Sequence, residues 1–125
     1  MNIQVLIVDD QPPFRAAAHA VVDLTDGFEV VGEAETGEDS VTMCRTLKPD
    51  LVLMDVNLPG IDGLEATRQI LAEQNPVVVL VLSTYEAAEY EPRASAAGAA
   101  AYIQKSDFGP DELTHAWEVA RKAIA

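Results

Sequence analysis

The chain has 125 residues, 49% of them apolar, and a mass of 13.4 kDa, enough for one self-sufficient domain with a real core. Its longest apolar runs are about six residues, against the ~20 that a bilayer span requires, and no signal-peptide pattern opens it. A net charge of -13 and a pI near 4.2 repel nucleic-acid phosphates and anionic lipid, which argues against direct contact with DNA or membranes.

The lone Cys44 cannot form an internal disulfide, and with the missing leader it points to the cytoplasm. Along the chain, short and nearly continuous apolar runs occur at Ile3–Val8, Phe28–Val31, Leu51–Met54, Val77–Leu82 and Ala100–Ile103. Their β-branched, aliphatic make-up suits strands buried on both faces of a parallel sheet. Between them, helical spacing covers 13–24, 37–47, 62–73, 86–98 and 110–124. Pro13 and Pro110 suit first-turn positions, where a missing N–H costs nothing. Thr36 with Asp39, and Asp62 with Glu65, have capping-box spacing or a close variant; Asp50, Gly60 and Gly98 stand where helices or turns should stop. Five βα units in one small domain predict an α/β fold, a doubly wound parallel sheet with right-handed crossovers and helices on both faces.

Pro92 falls inside the fourth predicted helix, where proline costs ~3 kcal/mol. The expectation is a helix that starts near Glu91 or bends there, with residues 86–91 irregular.

The first strand ends in Asp9 and Asp10, and the third in Asp55. In the strand order 2-1-3-4-5 these two strands are neighbours at the switch point, and their carboxyl ends open into the ligand crevice. Two carboxylates ~5 Å apart repel by roughly 3 kcal/mol at an effective dielectric of 20. Three together must therefore hold protons or a cation. An all-oxygen, water-open site suits Mg2+ better than zinc or calcium; the two histidines are scattered and there is no calcium loop. A lone aspartate at a strand end is more often a cap or a solvated charge, but three aimed at one point are not.

Two further residues reach the same rim: Ser83, after VVVLVL, and Lys105, in YIQKS. Singly, each has an ordinary explanation, as a satisfied strand-end hydroxyl and a surface ion-pair partner. Combined with a metal-bound carboxylate they are a donor set for a phosphoryl group. Asp55, the most central acid, is then the nucleophile of an aspartyl phosphate. Flavin and dinucleotide readings fail, because the loop Asp9-Asp10-Gln11-Pro12-Pro13 is anionic and lacks phosphate-cradling glycines.

The strings IVDDQ, LVLMDVNLPGIDGLEA, the serine in VLS and the lysine in GAAAYIQKS resemble a two-component response-regulator receiver domain over essentially the whole chain. The resemblance implies a flavodoxin-like (βα)5 fold and a Mg2+ site made by Asp10, Asp55 and the main-chain carbonyl of Asn57, with Asp9 acting through water. It implies phosphorylation of Asp55 by a sensor histidine kinase, with Ser83 and Lys105 as phosphate contacts. It also implies a switch: Ser83 moves toward the phosphoryl group, Tyr102 turns inward, and the surface of the fourth helix, fifth strand and fifth helix engages a partner, often a second copy. Asn57 and Tyr85 should flank the phosphate and affect its lifetime.

Lys105 is followed by Ser106, where many receivers have a cis-proline; this predicts a trans bond and resembles receivers of LuxR/NarL-type regulators. Those carry a helix-turn-helix DNA-binding domain after the receiver, so the chain is expected to be either a stand-alone receiver or a receiver without its output domain. Two alternatives compete: a receiver that binds partners without phosphorylation, kept open by Pro92 on the output face, and a Mg2+-dependent phosphohydrolase. The hydrolase reading ranks low, since its nucleophile belongs to an Asp-x-Asp motif on the first strand. Val21, Leu113, Trp117 and Cys44 have core spacing; His19 and His115 read as solvated or capping, and Phe14 as a packing residue that could line the site.

Overall fold

In the computed structural model, which describes residues 2–73 and 76–124, five parallel strands form one sheet. They are β1 (Ile3–Val8), β2 (Phe28–Ala34), β3 (Leu51–Asp55), β4 (Val78–Ser83) and β5 (Ala101–Gln104), in the order β2-β1-β3-β4-β5. The helices are α1 (Pro12–Asp23), α2 (Gly37–Leu47), α3 (Gly63–Ala72), α4 (Ala87–Ala97) and α5 (Pro110–Ile124), with a 3-10 turn at Lys105–Asp107. Ala125 lies outside the described residues.

The strands alternate between two cores. Leu6, Val8, Val52, Met54, Val79 and Val81 pack against α2, α3 and α4 through Val41, Cys44, Leu64, Ile70 and Ala94. Val5, Ile7, Leu51, Leu53, Leu80 and Leu82 pack against α1 and α5 through Ala18, Val22, Leu113 and Ala116. Every residue of β3 and β4 is buried, which is why both read as unbroken apolar runs. Trp117 meets Phe28 edge-on at 6.3 Å.

Local chemistry sets the helix ends. Thr36 Oγ1 accepts from the Asp39 N–H at 3.0 Å, and Asp62 Oδ1 from the Glu65 N–H at 2.8 Å. Pro12 and Pro13 occupy the first two positions of α1. Gly98 closes α4 with φ 102°. Lys48 closes α2 in the same left-handed region at φ 48°, a cap for which the sequence holds no glycine.

Two expectations need correction. β2 does not stop at Val31: a register shift opposite Val5–Leu6 skips that residue, and pairing continues through Gly32 to Ala34. As an edge strand, β2 needs no apolar run to its end. α4 is neither shortened to Glu91 nor irregular before it, but runs from Ala87 with Pro92 inside. Glu86 accepts from the N–H groups of Glu89 and Tyr90, so the first turn is made before the proline is reached. Pro92 lies on the exposed side, while Ala94 and Ala97 carry the packing. The carbonyl left without a donor can be hydrated there.

Candidate functional site

β1 and β3 deliver their terminal acids to one point at the carboxyl edge. Oxygens of Asp9, Asp10 and Asp55 all lie within 4.8 Å of one another. Asp9 and Asp55 are buried and Asp10 is exposed, so the cluster opens to solvent on one side. Lys105, in the turn after β5, places Nζ 2.7 Å from Asp9 Oδ2 and 3.5 Å from Asp55 Oδ2. Three carboxylates and one ammonium leave two negative charges uncompensated, the charge of one divalent cation. A hard, oxygen-only donor set open to water fits such an ion.

Burial, first, and the neighbouring Asp9, second, raise the Asp55 carboxyl to about 6; Lys105 and the Asn57 N–H pull the other way. The loop after β3 doubles back tightly: the Gly63 N–H donates to the Val56 carbonyl at 2.8 Å, and a side chain at Gly63 would collide with the Asp55 carbonyl. That glycine is what lets α3 begin directly beneath the acid.

The turn from β1 into α1 is as closely determined. The Gln11 N–H donates to Asp9 Oδ1 at 2.8 Å, and the Gln11 carbonyl accepts from the N–H groups of Phe14 and Arg15, each at 3.1 Å. Arg15 was not singled out in the sequence, yet its Nη1 donates to the Asp9 main-chain carbonyl at 2.8 Å while Nε and Nη2 face Glu33 and Glu35, each at 3.3 Å. His19 is tied into the same surface, with Nδ1 2.9 Å from Glu33 Oε2 and Nε2 3.3 Å from Asp23 Oδ2, whereas His115 is simply exposed. Phe14 does line the site: the Lys105 ammonium stands 4.3 Å from its ring centroid.

On the far side, Ser83 ends β4 fully buried and accepts from the Tyr85 N–H at 3.1 Å. The Tyr85 carbonyl in turn accepts from the Tyr102 hydroxyl at 2.5 Å. The Tyr85 ring stacks on Tyr90 of α4, centroids 4.4 Å apart, and Arg93 caps Tyr90 at 4.8 Å. Burial, first of all, raises the Tyr102 phenol above its usual range. The Lys105–Ser106 bond is trans, as are all described peptide bonds. Cys44, pushed up to about 11 by burial and then by Glu73, is an inert core thiol.

The doubly wound sheet gathers three acids at its switch point, with a hydroxyl and an ammonium at the next two strand ends. The model of the response regulator receiver domain family matches residues 5–118, and the chain belongs to that family. It is 43% identical over 114 residues to the response regulator GacA of Pseudomonas aeruginosa, covering 91% of this chain and 53% of that protein. With the response regulator UvrY of Escherichia coli it shares 41% over 114 residues, 91% of this chain and 52% of that one. The chain thus spans about half the length of the curated relatives it matches. A LuxR-family two-component response regulator from Aurantimonas superposes with a TM-score of 0.85 at 31% identity, over 94% of this chain and 84% of that one. The receiver domain of NarL from Mycobacterium tuberculosis does so at 0.81 and 25%, over 98% and 94%. The LuxR/NarL-type resemblance and the flavodoxin-like topology stand on these matches. Among the described residues no helix is long and apolar enough to cross a membrane.

Proposed function

We propose that Asp55 accepts a phosphoryl group from the phosphohistidine of a sensor histidine kinase, and that the acidic cluster binds Mg2+ for this step. The observation that supports it best is the Asp55 carboxyl itself, buried, raised to about 6, and within reach of two acids and one ammonium. Asp10 and Asp55 would hold the ion with the Asn57 carbonyl, and Asp9 through a water. The ion, when bound, supplies charge neutralisation that lets anionic donor and anionic acceptor meet.

The remaining work belongs to the chain. A carboxylate oxygen of Asp55 forms the new bond to phosphorus as the P–N bond of the donor breaks; the electron pair of that bond stays on the imidazole, which is already protonated on its other nitrogen and so leaves neutral. The Lys105 ammonium turns from the carboxylates to the incoming phosphoryl oxygens, and the Ser83 hydroxyl donates to another. Asn57 and Tyr85 flank that position.

The same bonds carry the switch. Ser83 holds the Tyr85 N–H, and the Tyr85 carbonyl holds the Tyr102 hydroxyl. When Ser83 moves to the phosphoryl group, the Tyr85 segment is released and Tyr102 repositions with it, reshaping the α4–β5–α5 surface. A local charge thereby biases a two-state element. The modified surface engages a second copy or an attached DNA-binding output domain in the cytoplasm; the length of the relatives supports an output domain.

The test is incubation with phosphoramidate and Mg2+, followed by intact mass. One alkali-labile phosphate, absent from Asp55→Asn, is expected. Turnover of many equivalents of a phosphomonoester would refute the signalling role in favour of a hydrolase, and absence of labelling would refute phosphorylation.

A further inference from the structure

On the proposed function, the Lys105 ammonium passes from carboxylate to phosphoryl oxygens, so its anionic partners change during the reaction. The residue lies in a single 3-10 turn, and its four-carbon stem reaches back across the rim to Asp9 and Asp55. Once Asp55 carries a phosphoryl group and Asp9 turns to a cation, both present contacts are redrawn. The face of Phe14, 4.3 Å from Nζ, is uncharged and is not redrawn. It is also rigidly mounted: Pro12 and Pro13 precede it in the first turn of α1, and its N–H is bonded to Gln11. The Lys105 side chain is only 10% exposed, so little water competes for the ammonium.

We infer that Phe14 is a positioning residue for phosphoryl transfer, its π-face keeping the Lys105 ammonium over the acceptor as the carboxylate contacts are exchanged; this rests on Asp55 being the phosphoacceptor. A ring serving only as packing would be replaceable by any side chain of similar bulk. One acting through its quadrupole is replaceable only by another aromatic.

The experiment is a cycle of wild type, Phe14→Leu, Lys105→Met and the double variant, with Phe14→Tyr as rescue. Labelling rates with phosphoramidate and Mg2+ are read by intact mass, and urea unfolding is followed on the same proteins. Phe14→Leu should slow labelling about three- to tenfold, Phe14→Tyr should stay within about twofold of wild type, and Phe14→Leu should have no further effect once Lys105 is Met. Equal rates for Leu and Phe, or equal slowing in the Lys105→Met background, would overturn the inference. The unfolding cycle does not need phosphorylation. There, a Phe14–Lys105 coupling of about two- to tenfold in the equilibrium constant is expected, and none would overturn the pairing even if the wild type were never labelled.

Discussion

Replacing Asp55 by Asn should stabilise the cation-free protein, by an amount that depends on pH. The Asp55 carboxyl moves from 3.8 to about 6 on folding, with burial the largest cause and Asp9 the next. At 1.36 kcal/mol per pKa unit, that displacement is worth ~3 kcal/mol. Its sign follows from proton counts. Below about pH 3 the carboxyl is protonated in folded and unfolded chains alike, and the stabilisation relative to the ionised form is fully present. Between about pH 3 and 6 the unfolded chain loses its proton first, so stability falls as pH rises, and above about pH 7 the full cost is felt. Asparagine keeps the shape of the neutral acid without the charge. The gap between variant and wild type should be near zero at pH 3 and ~3 kcal/mol at pH 7.5, or roughly 10 °C in Tm for a domain of this size. Urea and thermal melts at several pH values in a chelator read the gap, with the acids remote from the cluster cancelling in the comparison. Added Mg2+ should narrow it by stabilising the wild type, ~2.7 kcal/mol at a hundred times Kd. An Asn variant less stable than wild type at pH 7.5, or a gap flat with pH, would refute the electrostatic account of the site.

Mn2+ affinity should rise about tenfold per pH unit below pH 6, as the ion competes with the Asp55 proton, and level off above pH 7; EPR titration of free Mn2+ measures it. Arg15→Ala should cost about 1–3 kcal/mol in urea unfolding by stripping the Asp9 carbonyl of its donor, and Arg15→Lys should restore only part of it, since one ammonium cannot serve Asp9, Glu33 and Glu35 together. Gly63→Ala should lower stability by ~1–3 kcal/mol and slow Asp55 labelling, because the new methyl displaces the acid's own carbonyl. Pro92→Ala should raise stability by up to ~3 kcal/mol, read from the urea midpoint, since α4 keeps its packing through Ala94 and Ala97 and regains a backbone hydrogen bond.

The central strands were legible because burial on both faces leaves no polar residue to interrupt them, and the acids because they terminate those runs. The end of β2 was not, because an edge strand pairs through backbone while its side chains turn polar. The start of α4 was misread for a different reason: proline propensity is a local penalty, and the packing of Ala94 and Ala97 with a completed first turn overrides it. Phe14 reads as packing until Lys105, distant in sequence, is folded against it. Arg15 carried no motif at all, since its partners are a main-chain carbonyl and two strand-end glutamates. Such contacts exist only once the β1–α1 turn has closed. The capping residues Thr36 and Asp62 were visible because their bonds span three residues.

β3 and β4 are the common wall of two hydrophobic layers that share no side chains, and the reactive rim lies past the end of both. Chemistry and recognition are therefore built from separable parts. The outward surfaces of α2 and α3 can diverge toward new docking specificities, and that of α1 toward others, without disturbing the acids at the strand ends. One such acidic rim is compatible with many different outer surfaces.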